Sequence, residues 1–362
     1  MRVLAPHEER HDVTLRPAAI ARVWLGAGQA HETVAVPGVA LGPADALVAV
    51  ELSTVCGSDL HTVAGHRPAP TPLVLGHESV GRVIAVGDDG VKTVDGSDLR
   101  VGDRVVWSVT VSCGACDRCS AGHPQKCRSL HKYGHERIGP RWELTGAFAT
   151  HVHLRAGTAI VRVPEALPSA VLAPASCAAA TAWAAVGRGA AGRDLEGRRV
   201  LVYGAGLVGL SAVAIAADAG AEVTVVDPSP ARRAFAERFG GTAATTASEP
   251  ADIVIEASGH AVADAFAAAD VGGTVVLVGS VFPADAVPFD AESAVRRLLT
   301  VTGVHNYTAR ELAAATAFLA GTGRAYPFAD AVGAVFPLDD VDAAIAAASV
   351  PDAPLRVAVN PR

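Results

Sequence analysis

Residues 199–227, RVLVYGAGLVGLSAVAIAADAGAEVTVVD, limit the possible folds more than any other stretch of the chain. A short apolar run ends at Gly204, a helical pattern occupies 207–219, and a second apolar run, 222–227, ends at Asp227. The alternation continues with a helix over 229–239, a strand over 252–259, a helix over 260–270 and a strand over 274–280. Strands that alternate with helices pair in parallel through right-handed crossovers, so this half of the chain is predicted to be a doubly wound parallel sheet. Gly204, Gly206 and Gly209 sit where the first strand turns into the helix, and each has a distinct task. Gly204 permits the tight turn, Gly206 lets backbone approach a pyrophosphate, and Gly209 lets helix and strand pack closely. The N–H groups that open the helix, at Leu207 and Val208, then face the phosphates. Asp227 is placed to accept hydrogen bonds from ribose hydroxyls and to repel a 2′-phosphate, which favours NAD over NADP. Arg232 and Arg233 follow closely and could hold a 2′-phosphate. Ser258 and His305 complete the expected dinucleotide contacts.

The other half has a different texture. Val-rich runs at 47–52, 80–87 and 104–109 are separated by Gly, Asp and Pro turns, the pattern of an all-β domain. The 362 residues suffice for two domains, expected over 1–165 and 166–303, with 304–362 returning to complete the first. That tail carries a helix near 309–321, a strand at 332–338, a helix near 339–349 and a last strand at 355–360. A net charge of −7 with acids and bases interspersed leaves no basic stripe for a nucleic acid. The first sixteen residues, MRVLAPHEERHDVTLR, are charged where a signal peptide needs an apolar run, and no later run approaches membrane length. A soluble cytoplasmic protein with no membrane partner is expected.

Of the 6 cysteines, Cys113, Cys116, Cys119 and Cys127 crowd together with x2, x2, x7 spacing. Such a loop can close a tetrahedral all-thiolate shell with no vacant position, which marks a structural zinc. An iron–sulfur cluster is the alternative with overlapping spacing. Cys56, His77 and Cys177 come from three separate places and make a three-ligand set of the kind that leaves a fourth position for substrate on a catalytic zinc.

These motifs together resemble the medium-chain, zinc-dependent alcohol dehydrogenase family, over nearly the whole chain. The resembling elements are Cys56-Gly-Ser58-Asp-Leu-His61, Gly76-His77-Glu78, the four-cysteine lobe and the glycine turn. The resemblance implies a GroES-like β-barrel catalytic domain beside a Rossmann domain, with two zinc ions and NAD per subunit. It makes Cys56 and His77 ligands, Ser58 and His61 a proton relay, and Glu78 a neighbouring or exchanging ligand. Ser58 can accept an alcohol proton and His61, titrating near neutrality, can pass it to solvent. In polyol-type members a Glu-Pro pair supplies the third ligand, and here the corresponding pair is Ala173-Pro174, which cannot bind metal. Aligning Cys177 with the cysteine of the classical alcohol dehydrogenases also matches Thr181 and Trp183, and is preferred. In the other register Cys177 lies beside the nicotinamide and Glu78 completes the shell.

Val109, Tyr133, His135, His305 and Asn306 are the expected pocket residues by position. The run 131–141, HKYGHERIGPR, brings Lys132, Arg137, Arg141 and two histidines after the lobe and points to an anionic substrate. CGSDLHT, KYGHE, GSVFP and GVHNY resemble a subgroup proposed to act in phosphonate catabolism, which implies a hydroxyalkyl phosphonate or its aldehyde. A polyol, secondary-alcohol or threonine-type dehydrogenase is the alternative. A non-catalytic zinc- and dinucleotide-binding homologue would need no relay, and a zinc-free quinone reductase would lack lobe and ligands. The resemblance also implies a homodimer or homotetramer joined near 274–304.

Overall fold

The structure, a computed structural model, describes residues 2–3, 13–351 and 353–361. Most of the charged N-terminal stretch read above lies outside the described residues. Two compact units account for the chain: one holds residues up to Cys177, Thr308–Thr316 and Ala329 onward, the other Ala178–Tyr307 and Ala317–Phe328.

The first unit is built from two β-sheets. Among the described residues one sheet runs Arg2–Val3, Glu32–Val39, Val13–Trp24, Leu73–Val74. The larger runs Thr158–Arg162, Arg104–Val111, Glu78–Val86, Ala46–Thr54, Arg356–Asn360, Val332–Pro337. Both are rich in β-branched residues that suit a pleated, half-buried surface. Leu47, Leu73, Leu75, Phe148 and Val357 form one core and Val48, Trp107, Val152 and Ile160 another. Burying Phe148 alone is worth about 3 kcal/mol. The C-terminal strand Arg356–Asn360 pairs antiparallel with Ala46–Thr54 in this unit, whereas residues 304–307 and Ala317–Phe328 of the tail expected here cluster with the other unit. Residues 166–177, expected with the dinucleotide half, cluster here instead. The turns Ser169–Leu172 and Ala173–Ser176 pack on the strands Ala46–Thr54, Glu78–Val86 and, for the second turn, Arg104–Val111. That packing delivers Cys177 to the first unit.

The second unit is the doubly wound sheet, in the order Thr242–Ala244, Glu222–Val226, Arg199–Tyr203, Ala251–Glu256, Ala269–Leu277, Thr300–Gly303, with every pair parallel. The helices Leu207–Asp218, Pro230–Arg238 and Val262–Ala268 fall within a few residues of the expected spans. One connection departs from the alternation. The edge strand Thr242–Ala244, which the sequence reading passed over, is joined to Ala251–Glu256 by residues 245–250 alone. A parallel crossover ordinarily takes a dozen residues or more and a helix. Six extended residues reach roughly 20 Å, enough to cross three strand spacings of about 4.8 Å each. The segment therefore straps across the sheet face and borders a hollow of ≈ 440 Å³ lined by Tyr203, Val226 and Asp264. Among the described residues no single helix is long and apolar enough to cross a membrane.

Candidate metal centres and dinucleotide loop

Cys56, His77 and Cys177 converge within the first unit, their ligand atoms all within 4.8 Å of one another. Cys56 follows the strand Ala46–Thr54 and caps the helix Gly57–Val63, where the Asp59 carboxylate accepts its backbone N–H at 2.9 Å. His77 immediately precedes the strand Glu78–Val86. Its approach requires Gly76, at φ +88°, where a Cβ would stand 2.8 Å from the Phe148 backbone. Cys177 ends the 3₁₀ turn Ala173–Ser176, and its Sγ lies 3.9 Å from Cys56 Sγ. Two thiolates on a tetrahedral zinc with bonds of about 2.3 Å are separated by about 3.8 Å, so the donor set fits that ion.

The electrostatics suit a metal. The sulfur–sulfur contact with Cys177, with the Arg356 charge, holds Cys56 well below its ordinary pKa against the opposing effect of burial. The same contact, with burial, pushes Cys177 up. Burial opposes charge on His77, yet Asp59 Oδ1, 3.4 Å from its Nδ1, raises its pKa well above the usual value. His77 Nδ1 faces that carboxylate at ion-pair distance without forming a hydrogen bond, and Nε2 is the nitrogen turned toward Ser58. Ser58 Oγ stands 3.3 Å from that Nε2, and His61 lies three residues on along the same short helix.

Glu78 has a different place from the three donors. Its fully buried carboxylate receives both Arg356 Nε at 2.6 Å and Nη2 at 2.7 Å, plus the Thr54 hydroxyl at 2.6 Å. Arg356 Nη2 also reaches to 3.9 Å from Cys56 Sγ. The structure thus groups Cys177, not Glu78, with Cys56 and His77.

Of the expected pocket residues, the half-buried His135 is brought to His77, ring centres 5.0 Å apart. Val109 is buried within its strand. Tyr133 is a core residue rather than a pocket wall, because its hydroxyl bonds Thr158 Oγ1 at 2.6 Å and accepts the Arg155 N–H at 2.9 Å. His305 and Asn306 belong to the second unit, after its edge strand, with Asn306 in the left-handed region at φ 60°. The basic run divides: Lys132 is half-buried, whereas Arg137 and Arg141 are exposed.

The four lobe cysteines also converge, with Sγ separations of 3.4 Å for Cys113–Cys127, 3.5 Å for Cys116–Cys119 and 3.9 Å for Cys116–Cys127. Backbone N–H groups of Cys113 and Cys116 point at Cys127 and Cys113 sulfurs, both at 3.3 Å. The Cys113 N–H, with the Ser129 hydroxyl, holds Cys127 down to about 6. This is again the spacing of a zinc-thiolate shell.

In the second unit the three glycines of the turn meet different constraints. Gly204 has φ +95° and a Cβ would lie 2.9 Å from that of Ser258, while a Cβ on Gly209 would stand 1.9 Å from the Gly204 carbonyl. A Cβ on Gly206, the N-cap of Leu207–Asp218, would meet nothing within 4 Å, so its side is open to a ligand. Both Asp227 oxygens accept backbone N–H groups at 2.8 Å, from Ala205 and Ser229. This ties the carboxylate to the turn and leaves lone pairs for hydroxyls. Arg233 is committed to the carbonyls of Asp227 and Pro228, and Arg232 is half-buried on the first turn of Pro230–Arg238. Ser258 lies on a loop gathered by the buried Glu256, which accepts the N–H groups of Ser258 at 3.0 Å and Gly259 at 2.8 Å.

Sequence reasoning missed Asp59, Glu256 and Arg356. Asp59 could have been read from the Cys-x-x-Asp spacing of a capping box. Arg356 has no local signal, since its partner is 278 residues away.

The fold and the two groups of cysteine and histidine donors point to a zinc-binding dehydrogenase with a GroES-like unit and a dinucleotide-binding unit. Residues 42–165 match the alcohol dehydrogenase GroES-like domain family and residues 208–321 the zinc-binding dehydrogenase family. The chain is 33% identical over 293 residues to an L-threonine 3-dehydrogenase of Streptomyces coelicolor, covering 75% of this chain and 79% of the relative. An alcohol dehydrogenase structure from Thermotoga maritima superposes with a TM-score of 0.88 at 27% identity, covering 95% of this chain and 99% of that one. A zinc-binding dehydrogenase from Sinorhizobium meliloti bound to NADP gives 0.81 at 26% identity over 95% and 99%. The chain belongs to the medium-chain zinc-dependent alcohol dehydrogenase family, and so is an oxidoreductase that acts on alcohols.

Proposed function

We propose that the protein is a zinc-dependent alcohol dehydrogenase that transfers a hydride between an alcohol and NAD(H). The observation that carries this reading is the meeting of Cys56, His77 and Cys177, with the Ser58 hydroxyl 3.3 Å from His77 Nε2. These three residues would hold the catalytic zinc, and Cys113, Cys116, Cys119 and Cys127 a second, structural one. Zinc supplies Lewis acidity that brings the pKa of an alcohol hydroxyl toward neutrality. Ser58 then takes the hydroxyl proton and His61 passes it to solvent. Asp59 keeps His77 oriented, and Glu78 acts by holding Arg356 against Cys56. The experiment is NADH formation with a panel of alcohols, with zinc counted in Cys177→Ser. Retention of both zinc equivalents in that variant removes Cys177 from the shell.

For the cofactor, the Asp227 carboxylate at the turn supports NAD, read as a kcat/KM ratio of NAD to NADP above one. An NADP-bound relative makes the comparison necessary. For the substrate, the sequence likeness to the phosphonate subgroup supports a hydroxyalkyl phosphonate. The threonine dehydrogenase relatives support a threonine- or polyol-type alternative, and initial rates on 2-hydroxyethylphosphonate, threonine and sorbitol separate them. A dimer or tetramer is supported by the edge strand Thr300–Gly303, beside which Val295, Leu298 and Phe289 are 73%, 71% and 57% exposed. Light scattering reads that state directly.

A further inference from the structure

The turn that carries Cys177 is made of small side chains. Ala173, Pro174, Ala175 and Ser176 are buried before it, and Ala178, Ala179 and Ala180 are buried after it. Contacts between methyl groups are individually weak and have no direction, so packing of this kind resists removal from the core better than it resists sliding. Directional bonds must fix where the Cys177 sulfur stands.

Those bonds fall at two separate places. At the near end is Ser176, 1% exposed and next to Cys177 in the chain. Its hydroxyl donates to the His77 carbonyl at 3.2 Å, with the Ala173 carbonyl farther off at 3.5 Å. The Ser79 N–H points at the same oxygen, also at 3.5 Å. The Glu78 carbonyl in between accepts the buried Ser53 hydroxyl at 3.1 Å. The backbone that presents His77 is therefore gripped by Ser53 from the neighbouring strand and by Ser176 from the turn. Cys177 donates its own N–H to the Pro174 carbonyl at 3.2 Å, which holds it to the turn that Ser176 anchors. At the far end Ser169 Oγ accepts Arg104 Nη2 at 2.8 Å and donates to Glu51 Oε2 at 3.2 Å, while Arg104 Nη1 reaches the Leu167 carbonyl at 2.7 Å. That latch fixes where the segment enters, not where it ends.

We propose that Ser176 is a positioning residue of the metal site: its hydroxyl, bonded to the His77 backbone, sets the Cys177 sulfur against the imidazole before an ion enters. This rests on the reading of Cys56, His77 and Cys177 as zinc donors and adds what registers the third donor on the second. A zinc shell accepts bond lengths within about 0.2 Å of ideal, and groups that orient its ligands govern affinity by roughly 10–100-fold. Ser176 acts on two donors together, because one oxygen joins the residue before Cys177 to the backbone of His77.

The test is zinc affinity of the full chain, read by competition with a chromophoric chelator in the parent, Ser176→Ala, Ser169→Ala and Cys177→Ser. The zinc step missing from Cys177→Ser belongs to the Cys56–His77–Cys177 site, and the step that remains belongs to the four-cysteine lobe. In Ser176→Ala the first step should weaken by about tenfold or more while the lobe step stays in place. Ser169→Ala removes a hydroxyl from the same segment and should leave both steps at their parent values. Cobalt in place of zinc gives a second reading: the sulfur-to-cobalt absorption lost in Cys177→Ser should be altered in Ser176→Ala and unchanged in Ser169→Ala. Thermal melting of the zinc-loaded proteins checks that each variant is folded. A Ser176→Ala protein with parent zinc affinity overturns the proposal, as does equal weakening in Ser169→Ala, which would assign the effect to general loosening of the segment. If Cys177→Ser keeps both zinc equivalents, the donor reading itself falls and the proposal falls with it.

Discussion

Replacing Arg356 by Met tests how the Glu78 carboxylate is tolerated in the core. Glu78 is wholly buried and Arg356 nearly so, and two charge-assisted bonds of 2.6 and 2.7 Å join them. Removing the guanidinium leaves the carboxylate with the Thr54 hydroxyl as its remaining bond partner. An uncompensated buried charge of this kind costs about 3–5 kcal/mol. For a unit of this size each kcal/mol moves Tm by roughly 2–4 °C, so the zinc-loaded variant should melt roughly 6–20 °C lower. The pH dependence gives the sharper check. Burial already raises the Glu78 pKa with Arg356 present, and losing the cation raises it further. A carboxyl whose folded pKa exceeds its unfolded one lowers stability as pH rises from the unfolded value toward the folded value. The deficit of Arg356→Met relative to the parent should therefore be least below about pH 4, where Glu78 is largely protonated in both states, and grow toward neutrality. Glu78→Gln combined with Arg356→Met should recover part of the loss. Calorimetric melting of the three proteins from about pH 3.5 to 8 measures all of this. A single-variant loss under about 1 kcal/mol, or a deficit flat across pH, would refute the reasoning.

Three other outcomes are expected. Gly206→Ala should melt like the parent but raise the KM for the dinucleotide, because its Cβ meets only open space, whereas Gly209→Ala should lose about 1–3 kcal/mol against the Gly204 carbonyl. Comparing Tm and KM for the two variants separates these effects. Cys119→Ser should lower bound zinc from two equivalents to one, read by elemental emission after dialysis, with the Cys56–His77–Cys177 equivalent retained. His31 is buried against Asp342, and burial lowers its pKa below 6.5 despite that carboxylate. Its contribution should be complete above pH 6.5 and decline as pH falls toward its folded pKa, with a slope of at most about 1.4 kcal/mol per pH unit that His31→Gln abolishes in urea titrations.

What the sequence disclosed follows from the range of the forces involved. The strand–glycine–helix turn is set by neighbours within a few residues, so Gly204, Gly206 and Gly209 and the flanking elements were legible within a residue or two. The four-cysteine lobe is equally local. Tyr133 misled because position beside a lobe says nothing of where a hydroxyl finds its partner, and Thr158 lies 25 residues on. Thr242–Ala244 was too short to register as a period, and with it went the strap that replaces a helix. Arg356 could not be foreseen, since only tertiary folding places the last strand beside Ala46–Thr54.

That long-range placement also explains why the donors stand ready. Cys56 has Asp59 and His77 on one side and the Arg356–Glu78 pair on the other, all within one compact unit. Arg356 balances Glu78 with two charge-assisted bonds, so that carboxylate is engaged away from the donors although it directly follows His77 in the chain. The pairing also sets the donor group: with Glu78 taken up, Cys56, His77 and Cys177 are the side chains whose ligand atoms lie within 4.8 Å of one another. A long-range ion pair thus decides which side chains beside the last strand are left to act as donors, and that is why a contact 278 residues apart in sequence bears on the site.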